Sequence, residues 1–224
     1  MILRRAIDAL RGYFCRPPTE GGRRAEILAA ILDRDDRRFD EALRGGYDVS
    51  LKGGYPGGSL AGMAARFGYS RMVERLLEEG AGARGEDGDD LPPLVMAAEA
   101  DPSLGHPDES ARIAEILVRA GADPDSEDSS GRSALLLAAA SGKVGMTRVL
   151  LEAGADPDRP TPSGVAPMDV ATPECADLLR WFAGRRAASE EREELAVEVG
   201  VTMECFSPEP TADSAPTLRF RRRI

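Results

Sequence analysis

One ten-residue pattern returns along the chain at nearly constant spacing, and a chain built this way can bury its apolar faces only by stacking each unit on the next. The clearest copy is SALLLAAASG, Ser133–Gly142. Others are SLAGMAARFG at Ser59–Gly68, PPLVMAAEAD at Pro92–Asp101 and APMDVATPEC at Ala166–Cys175. Their first residues stand 33, 41 and 33 positions apart, so two intervals share one period and the middle one carries eight extra residues. The first three copies are each followed by a second apolar segment that closes on glycine: RMVERLLEEGAGA (Arg71–Ala83), RIAEILVRAGADPD (Arg112–Asp125) and MTRVLLEAGADPD (Met146–Asp158).

Each element of the pattern has a physical reason. The alanine pairs Ala64 and Ala65, Ala97 and Ala98, and Ala138 and Ala139 let one helix lie close to its neighbours, because a larger side chain would force the layers apart. Leu76, Leu77, Ile116, Leu117, Leu150 and Leu151 are expected to fill the space between layers, each worth about 1.5–3 kcal/mol when fully buried. Gly80, Gly121 and Gly154 follow the second helices, where a left-handed residue ends a helix without a Cβ penalty.

The Ser/Thr-Pro-Leu-like opening, the alanine pair and the Leu-Leu-x-x-Gly-Ala-Asp ending together resemble the ankyrin repeat over roughly residues 24–183. The resemblance implies an all-α ankyrin-repeat solenoid of helix-turn-helix units joined by β-hairpin fingers. The opening threonine of the family is serine at Ser59 and Ser133, proline at Pro92 and alanine at Ala166, and its usual histidine is absent throughout. Looser fingers and lower stability than in a consensus array are therefore expected.

Three segments follow: 1–22, an amphipathic helix and linker; 23–183, an array of about five repeats including caps; and 184–224, a charged linker with a strand or hairpin tail. Arg23–Ser50 repeats the two-helix outline with more charge, as an N-terminal cap needs. Ile2, Leu3, Ala6, Ile7, Leu10 and Phe14 recur at helical spacing, which suits a helix packed on that cap, a membrane-surface helix being the alternative. The eight extra residues fall within Ala100–Ser110 and predict a loop. Asp177–Phe182 provides a short last helix. From Leu195 to Cys205 apolar and polar residues alternate, which predicts a strand, and TLRFRRRI offers a second strand for a C-terminal β-hairpin.

Charge is divided along the chain. The net charge is −10, yet residues 1–24 and 217–224 each carry +4, so the remainder sums to −18. An acidic body repels phosphate backbones and complements a basic or mixed-charge protein, so no nucleic-acid partner is expected. The longest apolar run, Ala134–Ala140, is seven residues, too short to span a bilayer, and the N-terminus lacks the apolar core of a secretory signal. No membrane role is expected, and the location expected is cytoplasmic. Cys15, Cys175 and Cys205 are too few and too scattered for a disulfide framework or a zinc cluster, and His106 is the only histidine. Neither a P-loop nor a dinucleotide fingerprint occurs. Glu86–Asp90, EDGDD, lacks the calcium-loop spacing of an EF-hand. No catalytic residue, metal or cofactor is expected.

Function is expected on a surface. The resemblance implies binding through finger tips and the first-helix face. The tips are Tyr55, Pro56 and Gly58, then Gly88, Asp89 and Leu91, then Ser129, Ser130 and Arg132, then Pro162, Ser163 and Val165. The first-helix positions are Arg66 and Phe67, Glu99 and Ala100, and Ala140 and Ser141. Tyr47, Tyr55, Phe67 and Tyr69 concentrate aromatics in the first third of the array, and aromatics often anchor interfaces. Asp89 and Asp90 belong to a set of finger acids that exceeds what the repeat itself uses. The expected function is a non-catalytic module that captures a protein on an acidic, aromatic-bearing concave face, in concrete form a bacterial inhibitor or immunity protein. Its Arg-, Ala- and Gly-rich composition with few lysines suits a GC-rich genome. The competing expectation is an adaptor that joins two proteins through the array and the tail. Oligomeric state is left open by the sequence.

Overall fold

The computed structural model describes residues 20–44, 59–84, 91–100 and 107–198. Within them the chain forms ten helices: α1 Glu20–Asp33, α2 Asp36–Arg44, α3 Leu60–Arg66, α4 Ser70–Glu78, α5 Pro93–Glu99, α6 Pro107–Arg119, α7 Ala134–Ala140, α8 Val144–Glu152, α9 Pro167–Val170 and α10 Pro173–Glu198. The odd-numbered helices form one row, in which α1 packs on α3, α3 on α5, α5 on α7 and α7 on α9. Behind them α4 packs on α6 and α6 on α8, giving layered helix pairs.

Local sequence sets the helix ends. Ser59 and Ser133 cap α3 and α7, their Oγ atoms accepting from Gly62 N and Leu136 N at 3.1 Å. At α5 the opening residues are Pro92 and Pro93, whose fixed φ suits a first turn that needs no N–H. Glycines at positive φ, Gly68 (75°) and Gly142 (68°), end the turn of chain after α3 and α7.

The paired alanines are all buried, at 1% exposure or less. Gly62 carries the close approach further: a Cβ there would lie 2.4 Å from Met96 Sδ of α5. Leu76, Leu117, Leu150 and Leu151 are buried between layers, whereas Leu77 and Ile116 are half-buried. Neighbouring residues on a helix point about 100° apart, so in α4 and α6 only one of each pair faces the layer below. Ahead of the repeats, α1 and α2 pack together around Ile27, Leu28, Ile31, Phe39 and Leu43. Arg71 and Arg75 of α4 join α2 through Asp36 and Asp40 at 3.6–3.9 Å.

The eight-residue insertion divides in two. Three residues separate α3 from α4 and α7 from α8, but seven separate α5 from α6. The other four lengthen α6, which has 13 residues where α4 and α8 have nine. Pro107–Ser110, expected in a loop, therefore form the first turn of α6; proline and the acids of PDES suit a helix N-terminus. Residues 101–106 lie outside the described residues.

Insertion removes the glycine turn from α5, and Lys143 takes over its work. After α3, Gly68 N and Tyr69 N donate to the carbonyls of Ala65 and Ala64; after α7, Gly142 N and Lys143 N donate to those of Ala139 and Ala138. The matching carbonyls in α5 belong to Ala98 and Ala97. Among the described residues their backbone donors reduce to Ala100 N, 3.4 Å from Ala97 O. Lys143, buried, reaches back from the next repeat and donates its Nζ to Ala97 O at 2.9 Å and Ala98 O at 2.8 Å. A cation at a helix C-terminus also matches the helix dipole.

The C-terminal region departs from expectation. Instead of a short helix, a charged linker and a strand, α10 continues through Gly184 and the Arg/Glu-rich segment to Glu198. Alanine, glutamate, arginine and leucine are strong helix formers, and the run Arg185–Glu198 contains no breaker, so local propensity prevails over the period-two pattern. Leu195–Glu198, the start of the expected strand, are helical. The rest of the expected hairpin lies outside the described residues, as does the expected helix at Ile2–Phe14. Residues up to Leu179 form one compact unit and Arg180 opens a second, in which Trp181 is 53% exposed, meets Phe182 edge-on at 4.8 Å and carries Arg185 over its ring at 4.7 Å. No helix among the described residues is long and apolar enough to cross a membrane.

The role of Lys143 predicts that Lys143→Met lowers stability by about 1–3 kcal/mol, the cost of stripping donors from buried carbonyls. In urea this reads as a lower midpoint at unchanged slope. An Arg at the same position should recover part of the loss.

Candidate binding surface

The finger between α6 and α7 shows how the tips are presented. Asp128 N donates to Arg132 O at 3.0 Å, Gly131 N to Asp128 O at 2.9 Å and Ala134 N to Ser126 O at 3.1 Å, and Glu127 bridges Ser133 antiparallel. This single bridge is the extended pairing of the finger; no longer strand forms among the described residues. The buried carboxylate of Asp128 organises the turn: Oδ1 accepts from Ser130 N and Arg132 N at 2.9 and 2.8 Å, and Oδ2 accepts from Arg132 Nε at 2.6 Å. Gly131, at φ 74°, has no room for a side chain, since a Cβ would lie 2.4 Å from Pro162 of the next finger.

That next finger repeats the design with a hydroxyl in place of the carboxylate. Thr161 N donates to Val165 O at 2.9 Å, Gly164 N to Thr161 O at 2.8 Å, and Val165 N to Thr161 Oγ1 at 3.1 Å. Between layers the loops are joined by Arg84 Nε donating to Gly121 O at 2.7 Å, and by Asp156 N donating to Asp125 Oδ1 at 2.8 Å. Residues 84, 125 and 158 are equivalent in the repeat, so an arginine donor and an aspartate acceptor perform the same joining with opposite charge. These bonds connect loop backbones in an array that lacks the usual histidine.

Several acids expected as surface charge are thereby occupied. Asp123 Oδ1 accepts from Asp125 N at 2.9 Å, Asp125 holds the next layer, and Glu127 pairs with Arg159. Asp125 and Glu127 each hold one finger to the next. Asp158 is exposed.

The expected binding residues separate into three groups. Ser129 and Ser130 are exposed at the tip, and Arg132 spans from it to α5, donating to Glu99 Oε1 at 2.9 Å. Finger and first-helix row therefore meet in one surface through Arg132 and Glu99, with Glu99 half-buried and sharing Arg132 with Asp128. Arg66, Phe67 and Tyr69 stand at the other end of α3, about 10 Å along the helix from Ser59, the residue equivalent to Ser133 at the foot of the finger before α7. There Phe67 and Tyr69 stack with centroids 6.0 Å apart, and Arg34 lies over the Tyr69 ring at 5.3 Å. Burial pushes the Tyr69 hydroxyl up from its ordinary pKa, against a smaller lowering by Arg34. Tyr47, Tyr55, Asp89 and Asp90 lie outside the described residues. Arg34 and Lys143 were not foreseen: the only sign of Arg34 is that an arginine stands where a helix stop favours glycine.

Helix pairs with glycine stops, stacked in register and joined by short fingers, are matched by the family model for ankyrin repeats (3 copies) over residues 61–161 and, overlapping, 103–188. The chain belongs to the ankyrin-repeat family. No match is found among curated proteins. Ankyrin repeats are protein–protein interaction modules and typically non-catalytic, so the array is a scaffold that presents side chains to a protein. Cys175 is buried beside Thr147, Oγ1 to Sγ 3.6 Å.

Asp128 connects the array's stability to pH. Burial by itself would raise its carboxyl, but the hydrogen bonds from Arg132 and Ser130 and the guanidinium charge hold it below the ordinary value of 3.8. A carboxylate depressed on folding stabilises fully above its unfolded value and loses that contribution as pH falls through the folded one. Asp128→Asn should therefore lose about 1–3 kcal/mol at pH 7. The gap to wild type should narrow below about pH 4 as the wild-type carboxyl is protonated, measured by urea unfolding across pH 2–7.

Proposed function

We propose that this ankyrin array captures a protein partner on the finger tips and first-helix row, without catalysis, and that Ser129, Ser130, Arg132 and Glu99 are its described contact residues. The supporting observation is how the finger is built. Asp128 satisfies the turn from inside, so the hydroxyls of Ser129 and Ser130 face solvent on a loop held fixed, and a rigid loop loses little entropy on binding. Tyr47, Tyr55, Asp89 and Asp90 extend the same reading into the earlier fingers, and with exposed Asp123 and Asp158 they favour a basic or mixed-charge partner. A bacterial inhibitor or immunity protein that blocks a toxin or enzyme is the concrete form, acting in the cytoplasm and needing no cofactor, nucleic acid or membrane.

An adaptor is the second reading, and exposed Trp181 with Arg185 stacked on it favours it, since it offers an aromatic anchor of its own in the second unit.

The test is capture from native lysate with wild type and a Ser129→Arg, Ser130→Arg variant whose thermal unfolding matches wild type. Loss of the retained protein supports capture at the finger tips; undiminished retention removes these residues from the interface. A Trp181→Ala variant that keeps one partner and loses another identifies an adaptor.

A further inference from the structure

The end of the array opposite the fingers has a chemistry of its own. The turn between α1 and α2 and the turn between α3 and α4 meet where Arg34 covers Tyr69, and Tyr69 stacks on Phe67. Arg66 precedes the pair and is exposed; Arg37, in the first turn of α2, is exposed as well. Among the described residues no carboxylate pairs with Arg34, Arg37 or Arg66. The nearby acids are engaged elsewhere: Asp33 with Arg38 at 3.1 Å, Asp36 and Asp40 with Arg71 at 3.8 and 3.6 Å, and Asp35 Oδ1 with the amides of Arg37 and Arg38 at 3.1 Å. Among the described residues, then, Arg34 lies on the aromatic pair, and Arg37 and Arg66, in the segments adjoining the same two turns, expose guanidinium groups without a paired carboxylate.

Arg34 is also the one described non-glycine residue at positive φ, 53°. Arg34 N donates to Ile31 O and Asp35 N to Ala30 O, so the residue occupies the helix stop that glycine fills most cheaply. An arginine there costs backbone energy that glycine would save, and what it adds is a guanidinium on Tyr69. A backbone outlier points to function where its side chain does something the favoured residue cannot.

We propose that Arg34, Arg37, Arg66, Phe67 and Tyr69 form a second docking site, which takes an acidic peptide segment bearing an aromatic or other apolar side chain. Carboxylates meet the three guanidinium groups, and the apolar side chain packs on the exposed part of the Phe67–Tyr69 stack. A peptide suits this footprint better than nucleic acid. Three arginines neutralise few phosphates, and a longer polyanion would run onto the acidic flanks. The site is independent of capture at the finger tips.

The test uses the full chain and fluorescence anisotropy with a fluorescein-labelled heptapeptide of Asp and Glu around a central Phe, its Asn/Gln isostere, and a single-stranded oligothymidine of equal length. Wild type should bind the acidic peptide more tightly than the isostere, and the preference should fall as salt is raised. Arg34→Gly should weaken acidic-peptide binding about two- to fivefold while its unfolding temperature stays equal or rises, an outcome that a purely structural role for Arg34 does not produce. Arg66→Glu should weaken it further. Equal affinity for peptide and isostere, undiminished binding by Arg34→Gly, or tighter binding of the oligothymidine overturns the proposal.

Discussion

Close approach between successive first helices is the constraint on which the rest of this array depends. It is set by the buried pairs Ala64–Ala65, Ala97–Ala98 and Ala138–Ala139 and by Gly62 against Met96, where even a methyl group would collide. At that spacing loops of adjacent layers fall within hydrogen-bond reach, so Arg84 can find Gly121 O and Asp125 can find Asp156 N. The same spacing seats Pro162 over Gly131. The surface that the fingers present is thus a consequence of packing several residues away. A larger side chain on one first helix would part the fingers as well as the core.

The middle repeat shows how much such a stack absorbs. Its insertion adds four residues to the turn and four to α6, and four residues are close to one helical turn, so Ile113 and Leu117 keep the buried face they need. The harder consequence is at α5, where, among the described residues, the backbone donors to the Ala97 and Ala98 carbonyls reduce to Ala100 N. Lys143 supplies both carbonyls from the following layer, where its own backbone N–H serves the corresponding carbonyl of α7. One residue thereby closes two first helices, and the repeat that departs most from the period is held by its neighbour.

Sequence legibility follows the range of the forces involved. The period, the alanine pairs and the glycine stops are local features whose physics acts within one unit, and the helix pairs from α3 to α8 stand where they predict. Three kinds of feature were not legible. Lys143 acts over more than forty positions and looks in sequence like any polar residue before a helix. Which of two adjacent leucines faces the core depends on the helix's rotation, so Leu76 and Leu77 read alike and pack differently. The alternation beginning at Leu195 competes with a longer stretch of helix-favouring residues, and Leu195–Glu198 follow the latter. At the surface, the candidate residues were legible as exposed or polar, but their grouping was not. Arg132 draws Glu99 to the finger, while Phe67 and Tyr69 belong with Arg34 at the far end of the helices.

That grouping changes what net charge means for this protein. A first helix of seven residues separates finger from turn by about 10 Å, comparable with the distance of about 8 Å over which physiological salt screens a charge. The two ends therefore present largely separate local fields, and the overall value of −10 describes neither. At the finger end Asp128 and Glu99 share Arg132 and Glu127 pairs with Arg159, so three carboxylates meet two guanidinium groups and a net negative charge stays there. At the turn end Arg34, Arg37 and Arg66 have no paired carboxylate among the described residues, while Asp33, Asp36 and Asp40 pair with Arg38 and Arg71. Stacking repeats extends both edges side by side, and it is the local pairing of charges along each edge, layer by layer, that decides what the edge attracts.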